Sequence, residues 1–431
     1  MIEEAEKTPT AELFAQYVAP TYGRFGIFPA RGDGAVVWDE DGKRYLDFGG
    51  GVAVSSLGHA HPALLEVFRR QPAELVHSSN LYQPRNQALL AKTLVEKVVG
   101  IPGKCFFSNS GAEANETLIK LSRRYGIVAP GPGGRSRHEI ISFSRSFHGR
   151  TTGGMAATGQ KKIRQGFGPL MAGFKHLPYN DIAALNDGIE DQTVAVLLEP
   201  VQGEGGIHVA SAEFLSAASK ICRERDLLLL FDEVQCGMGR CGAINGWHAV
   251  GDTLAIVPDA ISWAKGLGGG YPVGAAWFKD RPAGDGRLCD LLEPGSHGST
   301  YGGSPLASAV AKAVIDTILA DGLAGEAARL GEKIIAEAGS WGSPLVTEVR
   351  GRGLMLGFQL DAEAVANCPG FEASGRTPAL FVIDALHAAG LLTVPAGTDV
   401  VRWLPPLVVG DAEVDEALSL MSAVLDQLIG S

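Results

Sequence analysis

The chain has 431 residues, 45% of them hydrophobic and 20% charged, the proportions of a globular protein able to bury a large core. Its net charge of −11 argues against nucleic acid or an anionic membrane as the main partner. The length suggests two or three domains, or one large domain with an appendage.

The acidic start, MIEEAEKTPTAELF, has no apolar h-region, and no apolar run approaches membrane-spanning length. A soluble, cytoplasmic protein is expected. After an arm or helix in the first thirty residues, Ala35 to Trp38 and Lys43 to Phe48 flank Asp41-Gly42, a hairpin signal. The segment from Gly49 to Pro62, GGGVAVSSLGHAHP, is too glycine-rich for a packed element and reads as a loop near a site. His59 and His61, with no cysteine or carboxylate beside them, read as structural rather than as metal ligands. Pro84 to Val98 has helical apolar spacing, and Lys104 to Phe107 reads as a short strand.

Next comes SNSGAEANETLIKLSRRYG (Ser108 to Gly126), a small-residue turn running into a helix. Backbone N–H groups of Ser110, Gly111 and Ala112 at that start suit a phosphate, although a plain helix cap reads the same way. Gly131 to Arg137 reads as a surface loop. Strands at Glu139 to Phe143 and Thr193 to Leu198 end in SFHGRT and EPVQGEGG, each rich in site-type residues. Leu227 to Gln235, LLLLFDEVQ, suits a strand buried on both faces of a parallel sheet, which puts Asp232 where ligands bind. Lys265 follows one crossover later, in AKGLGGGYPVG. An acid and a lysine at such strand ends suggest pyridoxal phosphate, whose aldehyde takes a lysine amine and whose ring nitrogen takes an acid. A helix-capping acid and an ordinary surface lysine are the structural alternative.

Ala275 to Phe278 looks like a further strand, HGSTYGGSP (His297 to Pro305) a polar loop, and Ser308 to Leu319 the start of a long helix into a smaller C-terminal unit. Arg402 lies inside an apolar strand and needs an anionic partner, either an internal acid or a substrate carboxylate. The six cysteines (Cys105, Cys222, Cys236, Cys241, Cys289, Cys368) show no metal-type spacing, and no metal is expected. Their pattern fits reduced thiols in a cytoplasm.

With these segments assembled, in order and over nearly the whole length, the chain resembles the class III aminotransferases of the type I pyridoxal-phosphate fold. The segments that carry the likeness are GGGVAVSSLGHAHP, NSGAEANE, FHGRT, EPVQGEGG, FDEVQCGMGR, AKGLGGGYPVGA, HGSTYGGSP and RWLPPLVV. The resemblance implies an α/β large domain (76–305) with a mostly parallel seven-stranded sheet flanked by helices. It implies also a smaller α+β domain built from residues 306–431 together with an N-terminal segment, 1–75.

It further implies pyridoxal 5'-phosphate as cofactor, with Lys265 as its imine-forming lysine and proton shuttle and Asp232 on the ring nitrogen. Gln235 would meet the ring's phenolic oxygen, Phe147 would stack on the ring, and Ser110, Gly111 and Ala112 would hold the phosphate. Thr300 would reach the cofactor of a neighbouring subunit, so a homodimer with shared sites is implied. Arg150 would take the donor's α-carboxylate and Arg402 that of 2-oxoglutarate, with Glu204 pairing with Arg402 in between. Bidentate carboxylate pairing explains arginine at both places. Lys161 and Lys162 are solvated charges on this reading.

Val52, where ornithine enzymes carry a tyrosine, implies an acylated donor such as N2-acetyl-L-ornithine. Succinylornithine, succinyl-diaminopimelate, ornithine and 4-aminobutyrate are the alternatives. Gly246 to Ala260 is longer than the usual link, and a changed substrate entrance is expected from it. A decarboxylase, a racemase or a non-catalytic cofactor-binding protein are competing readings; two carboxylate-binding arginines speak against the first two, and retention of Lys265 and Asp232 against the third.

Overall fold

The computed structural model describes residues 8–251 and 255–430; residues 1–7 of the acidic start and 252–254 of the long link lie outside the described residues. At the N-terminus, β1 (Pro29–Asp33), β2 (Val36–Asp39) and β3 (Arg44–Asp47) form an antiparallel ribbon. Its tight turn uses Gly42 at φ 80°, a conformation glycine adopts without a Cβ clash. Helices α1 (Pro62–Glu74) and α2 (Arg85–Thr93) follow. The expected helix to Val98 changes hand-over at Leu94, where the last turn widens into a π-helix, Leu94–Val99.

The main sheet has seven strands: β4 (Gly103–Ser108), β5 (Glu139–Phe143), β6 (Phe174–Leu177), β7 (Thr193–Leu198), β8 (Leu228–Asp232), β9 (Ala260–Trp263) and β10 (Gly274–Lys279). Their order is β4-β10-β9-β8-β7-β5-β6. Pairings from β9 to β6 are parallel, and β10 alone runs antiparallel to both its neighbours. Every residue of β5, β7, β8 and β9 is buried. That double-sided burial is why these segments read as continuous apolar runs instead of alternating ones. Leu228 and Leu230 belong to one core, with Leu118, Leu121 and Tyr125 of helix α3 (Gly111–Val128). Leu229 and Phe231 point into the other and larger core.

Helix α4 (Pro305–Ala320) leads to a second antiparallel sheet of β11 (Val346–Arg352), β12 (Met355–Leu360), β14 (Val394–Pro395) and β15 (Val400–Trp403), in the order β11-β12-β15-β14. Helix α5 (Pro378–Ala389) precedes the short β13 (Leu391–Leu392), which pairs in parallel with β3 and so joins the chain's two ends. One expectation is corrected here. Arg137, placed in a surface loop by its glycine-rich neighbours, is 6% exposed and donates to Ala129 O, Asp226 O and Asp226 Oδ2. No described helix is long and apolar enough to cross a membrane.

Candidate active site

The carboxyl ends of β4, β5, β7, β8 and β9 surround a cavity of about 410 Å³. Parallel strands end on the same side, and the loops leaving them form the crevice where ligands bind in such sheets. Ser110, Gly111, Ala112, Phe147, Arg150, Asp232, Gln235 and Lys265 all line it.

Asp232 ends β8 and is 3% exposed. Its Oδ2 accepts from Asn115 Nδ2 at 2.7 Å and lies 2.8 Å from His148 Nδ1, while Oδ1 accepts from Val234 N at 3.0 Å. Asn115 is itself fixed, since its Oδ1 accepts from Ser262 Oγ at 2.6 Å. Burial pushes the His148 pKa down, but the hydrogen bond and charge of Asp232, with Glu199 behind, leave it net raised. His148 carries no role in the sequence reading, and Asn115 is not singled out there. The available signal was spacing: Asn115 falls four residues after Gly111 on one helix face, and His148 shares a turn with Phe147.

At the start of α3, Ser110 Oγ accepts from Glu113 N at 3.2 Å, and Glu113 Oε2 reaches back to Asn109 N at 2.7 Å. This is a reciprocal cap of the kind that fixes helix starts. It leaves the N–H groups of Gly111 and Ala112 without a partner among the described residues, opening on the cavity. A Cβ on Gly111 would come to 2.6 Å from Val234 Cγ1, so only glycine lets the helix start sit this close to β8. These free donors, an acid held on two sides and a half-buried lysine fit a phosphorylated pyridine aldehyde.

Lys265 sits just past β9 at φ 44°, a left-handed conformation unusual for a residue with a side chain. Burial lowers its pKa, with Arg402 acting the same way and Glu204 opposing. Glu199, at the end of β7, is also on the cavity wall. It accepts from Phe147 N at 2.9 Å, and burial lifts its pKa to about 7, with His148 opposing.

Arg402 on β15 donates from Nη1 to Glu204 Oε1 at 2.6 Å and to Gln235 Oε1 at 2.8 Å. Burial favours the neutral acid at Glu204, but Arg402 and then Lys265 outweigh it and hold the pKa at about 2. Gln235 joins this pair to the cavity and also donates to Glu204 Oε1 at 3.2 Å. Arg150 is exposed at the cavity, its Cζ 5.7 Å from the Phe147 ring centroid.

Two expected features lie elsewhere, and Thr300, expected to reach a neighbouring subunit's cofactor, stays off its own chain's cavity. Val52 is not on the cavity wall; Val54 is, because Gly51 and Val52 both take positive φ and turn the chain there. Thr300 is exposed. The described part of the Gly246–Ala260 link contributes nothing to this wall. Trp247 is buried against Phe231, and Glu233 accepts from Gly246 N at 2.6 Å and Trp247 N at 3.0 Å. His59 lies 2.9 Å from Asp47 Oδ2, and His61 Nδ1 caps α1 through Ala63 N.

The sequence profile of the family described as aminotransferase class-III matches residues 17–425. An acetylornithine aminotransferase of Caldanaerobacter subterraneus subsp. tengcongensis is 43% identical over 419 residues, covering 96% of this chain and 98% of that protein. A protein of Pseudomonas aeruginosa named succinylornithine transaminase/acetylornithine aminotransferase is 40% identical, covering 96% of this chain and 97% of its own length. Among solved structures, an ornithine aminotransferase from Toxoplasma gondii with partial occupancy of PLP at its active site superposes with a TM-score of 0.88. It has 29% identity and covers 99% of this chain and 96% of its own.

Proposed function

The chain belongs to the class III aminotransferases, pyridoxal-phosphate-dependent enzymes, and we propose that it moves the terminal amino group of N2-acetyl-L-ornithine to 2-oxoglutarate. The products are N-acetylglutamate 5-semialdehyde and L-glutamate, a step of arginine biosynthesis. The observation that carries this reading is the Glu204–Arg402 pair beside Gln235 and Lys265. An arginine that is held by a displaceable carboxylate serves two carboxylate substrates in turn.

Gly111 and Ala112 would hold the cofactor's phosphate, Phe147 its ring face, Asp232 its ring nitrogen, and Lys265 would carry it covalently. Bound pyridoxal phosphate supplies the carbonyl carbon that receives the amino group and a ring that withdraws electrons. Lys265 Nζ, whose pKa is lowered by burial, moves the proton. Arg150 orients the donor's carboxylate at the mouth. Glu204 covers Arg402 until a dicarboxylate displaces it.

The exposed Thr300, beside the exposed Tyr301, Leu81 and Tyr82, supports a homodimer in which each subunit completes the other's site. Six free cysteines, five of them buried, support a cytoplasmic setting. The double name of the Pseudomonas relative makes succinylornithine the second donor to test.

The test is a half-reaction on the cofactor-loaded protein. N-acetylornithine without keto acid should bleach the visible band of the bound cofactor, and 2-oxoglutarate should restore it. Bleaching by ornithine or 4-aminobutyrate alone would replace the donor, and absence of any visible band after loading would remove the reading.

A further inference from the structure

A second cavity, about 650 Å³, lies where the two-stranded ribbon Val201–Gln202/His208–Val209 meets β11, and it shares no lining residue with the Lys265 cavity. Its charged lining consists of Arg145, Arg350, Arg352 and Glu348, with His208 beside them. Glu348 Oε2 is bonded to Arg350 Nη1 at 2.7 Å, so that acid is already taken. Arg145 and Arg352 have no acidic partner among the described residues; Arg145 Nη1 rests on His208 Nε2 at 2.9 Å, and Arg352 Nη1 on Gly351 O at 2.9 Å. Burial and then the charges of Arg350 and Arg145 lower the His208 pKa, which keeps the imidazole a neutral acceptor. Pro178, Tyr179, Val209, Ile335 and Val349 supply apolar wall.

We propose that this cavity binds a small organic dianion, a phosphate monoester or a dicarboxylate, between the Arg145 and Arg352 guanidinium groups, and that Glu204 senses its occupancy through Arg350. Two uncompensated guanidinium groups match two negative charges, and their planar forks suit phosphate or carboxylate oxygens. The apolar wall suits a carbon body. The link to the active site is short, made of hydrogen bonds from Arg350 to backbone two and three residues beyond Glu204. Arg350 donates to Gly206 O (3.0 Å from Nε, 2.7 Å from Nη2) and to Ile207 O at 3.1 Å, holding the loop that carries Glu204. A dianion that draws Arg350 toward itself loosens that hold, and Glu204 then covers Arg402 less well. This inference stands apart from the identity of the amino donor.

The experiment is calorimetric titration of the cofactor-loaded protein with glycerol 3-phosphate and, separately, malonate. At least one of them is expected to fill a site that is weakened tenfold or more in Arg352→Glu, apart from any malonate bound at Arg402. The visible cofactor band would report that the variant is folded. Arg145→Gln serves as a second, milder variant. The apparent KM for 2-oxoglutarate should shift at least twofold when the site is filled, and not in Arg352→Glu. Preference between the two probes tells phosphate from dicarboxylate. No binding to the parent protein, or binding unchanged in both variants, would overturn the site; binding with no shift in KM would overturn the link to Glu204.

Discussion

Glu204 Oε1 lies 2.6 Å from Arg402 Nη1, across 198 positions of sequence, and the acid comes from a loop while the arginine comes from an apolar strand. Arg402 is held further by Gln235 Oε1 at 2.8 Å and Pro395 O at 3.1 Å. On the proposed function, a substrate carboxylate competes with Glu204 for this guanidinium.

Glu204→Ala removes the competitor. Affinity for 2-oxoglutarate should rise several-fold, while the donor half-reaction slows about tenfold because donor carboxylates are trapped on Arg402. Breaking a pair with a buried arginine costs stability, but Glu204 is 29% exposed, so a loss of ~1–3 kcal/mol is expected. Stopped-flow rates for the two half-reactions check this; an unchanged ratio between them would count against the exchange.

Asn115→Ala strips Asp232 Oδ2 of one of its two side-chain neighbours. A hydrogen bond to a charged group contributes about 1.5–3 kcal/mol, so cofactor affinity should fall roughly tenfold to a hundredfold. His148→Ala should do the same from the other side. Equilibrium dialysis of the cofactor is the measurement. Unchanged affinity in both variants would mean that Asp232 needs no help in holding its place.

The buried acids Glu199 and Glu233 predict a falling pH–stability profile. Their folded pKa values, about 7 and about 8, lie above the ordinary 4.5, so the folded protein holds protons that the unfolded chain releases. Stability from these groups is full below pH 4.5 and is lost as pH rises to about 7 for Glu199 and about 8 for Glu233. Glu204 acts in the opposite sense, losing its contribution only as pH falls from 4.5 toward about 2. Glu199→Gln should flatten the slope between pH 5 and 7 and keep the bond from Phe147 N. Chemical denaturation of the cofactor-free protein across this window gives the slope; a slope identical to the parent's would reject the assignment.

What the sequence reveals and hides follows from range. Buried strands such as Leu228–Asp232 show themselves as apolar runs, and the polar residue that breaks each run marks the crevice. Asp232, Lys265 and the Gly111 turn could be picked out for that reason. Contacts made over long sequence distances leave no such local mark. Nothing near Glu204 says that Gln235 is bonded to both Glu204 and Arg402, and nothing near Arg137 says that Asp226 waits for it. The antiparallel course of β10 was hidden because a strand's apolar pattern is the same in both directions. Val52 and Val54 could not be told apart as wall residues, because the run of positive φ angles from Gly50 to Ala53 breaks the alternation on which such a reading depends.

Gly111 offers the sharpest test of the proposed phosphate cradle. Its Cα lies so near β8's exit that a methyl group would sit 2.6 Å from Val234 Cγ1 and 3.0 Å from Cγ2. Alanine is the better helix former by about 1 kcal/mol, so propensity alone predicts a stabilising Gly111→Ala change. Crowding predicts the reverse, because either Val234 leaves its place or the helix start retreats and takes the free N–H groups of Gly111 and Ala112 with it. We expect cofactor affinity to fall about tenfold in Gly111→Ala. Val234→Ala removes both crowding methyls, so the double variant should recover at least half of the lost binding energy in a double-mutant cycle. Additive losses would mean that the cradle depends on glycine for some reason other than its approach to Val234.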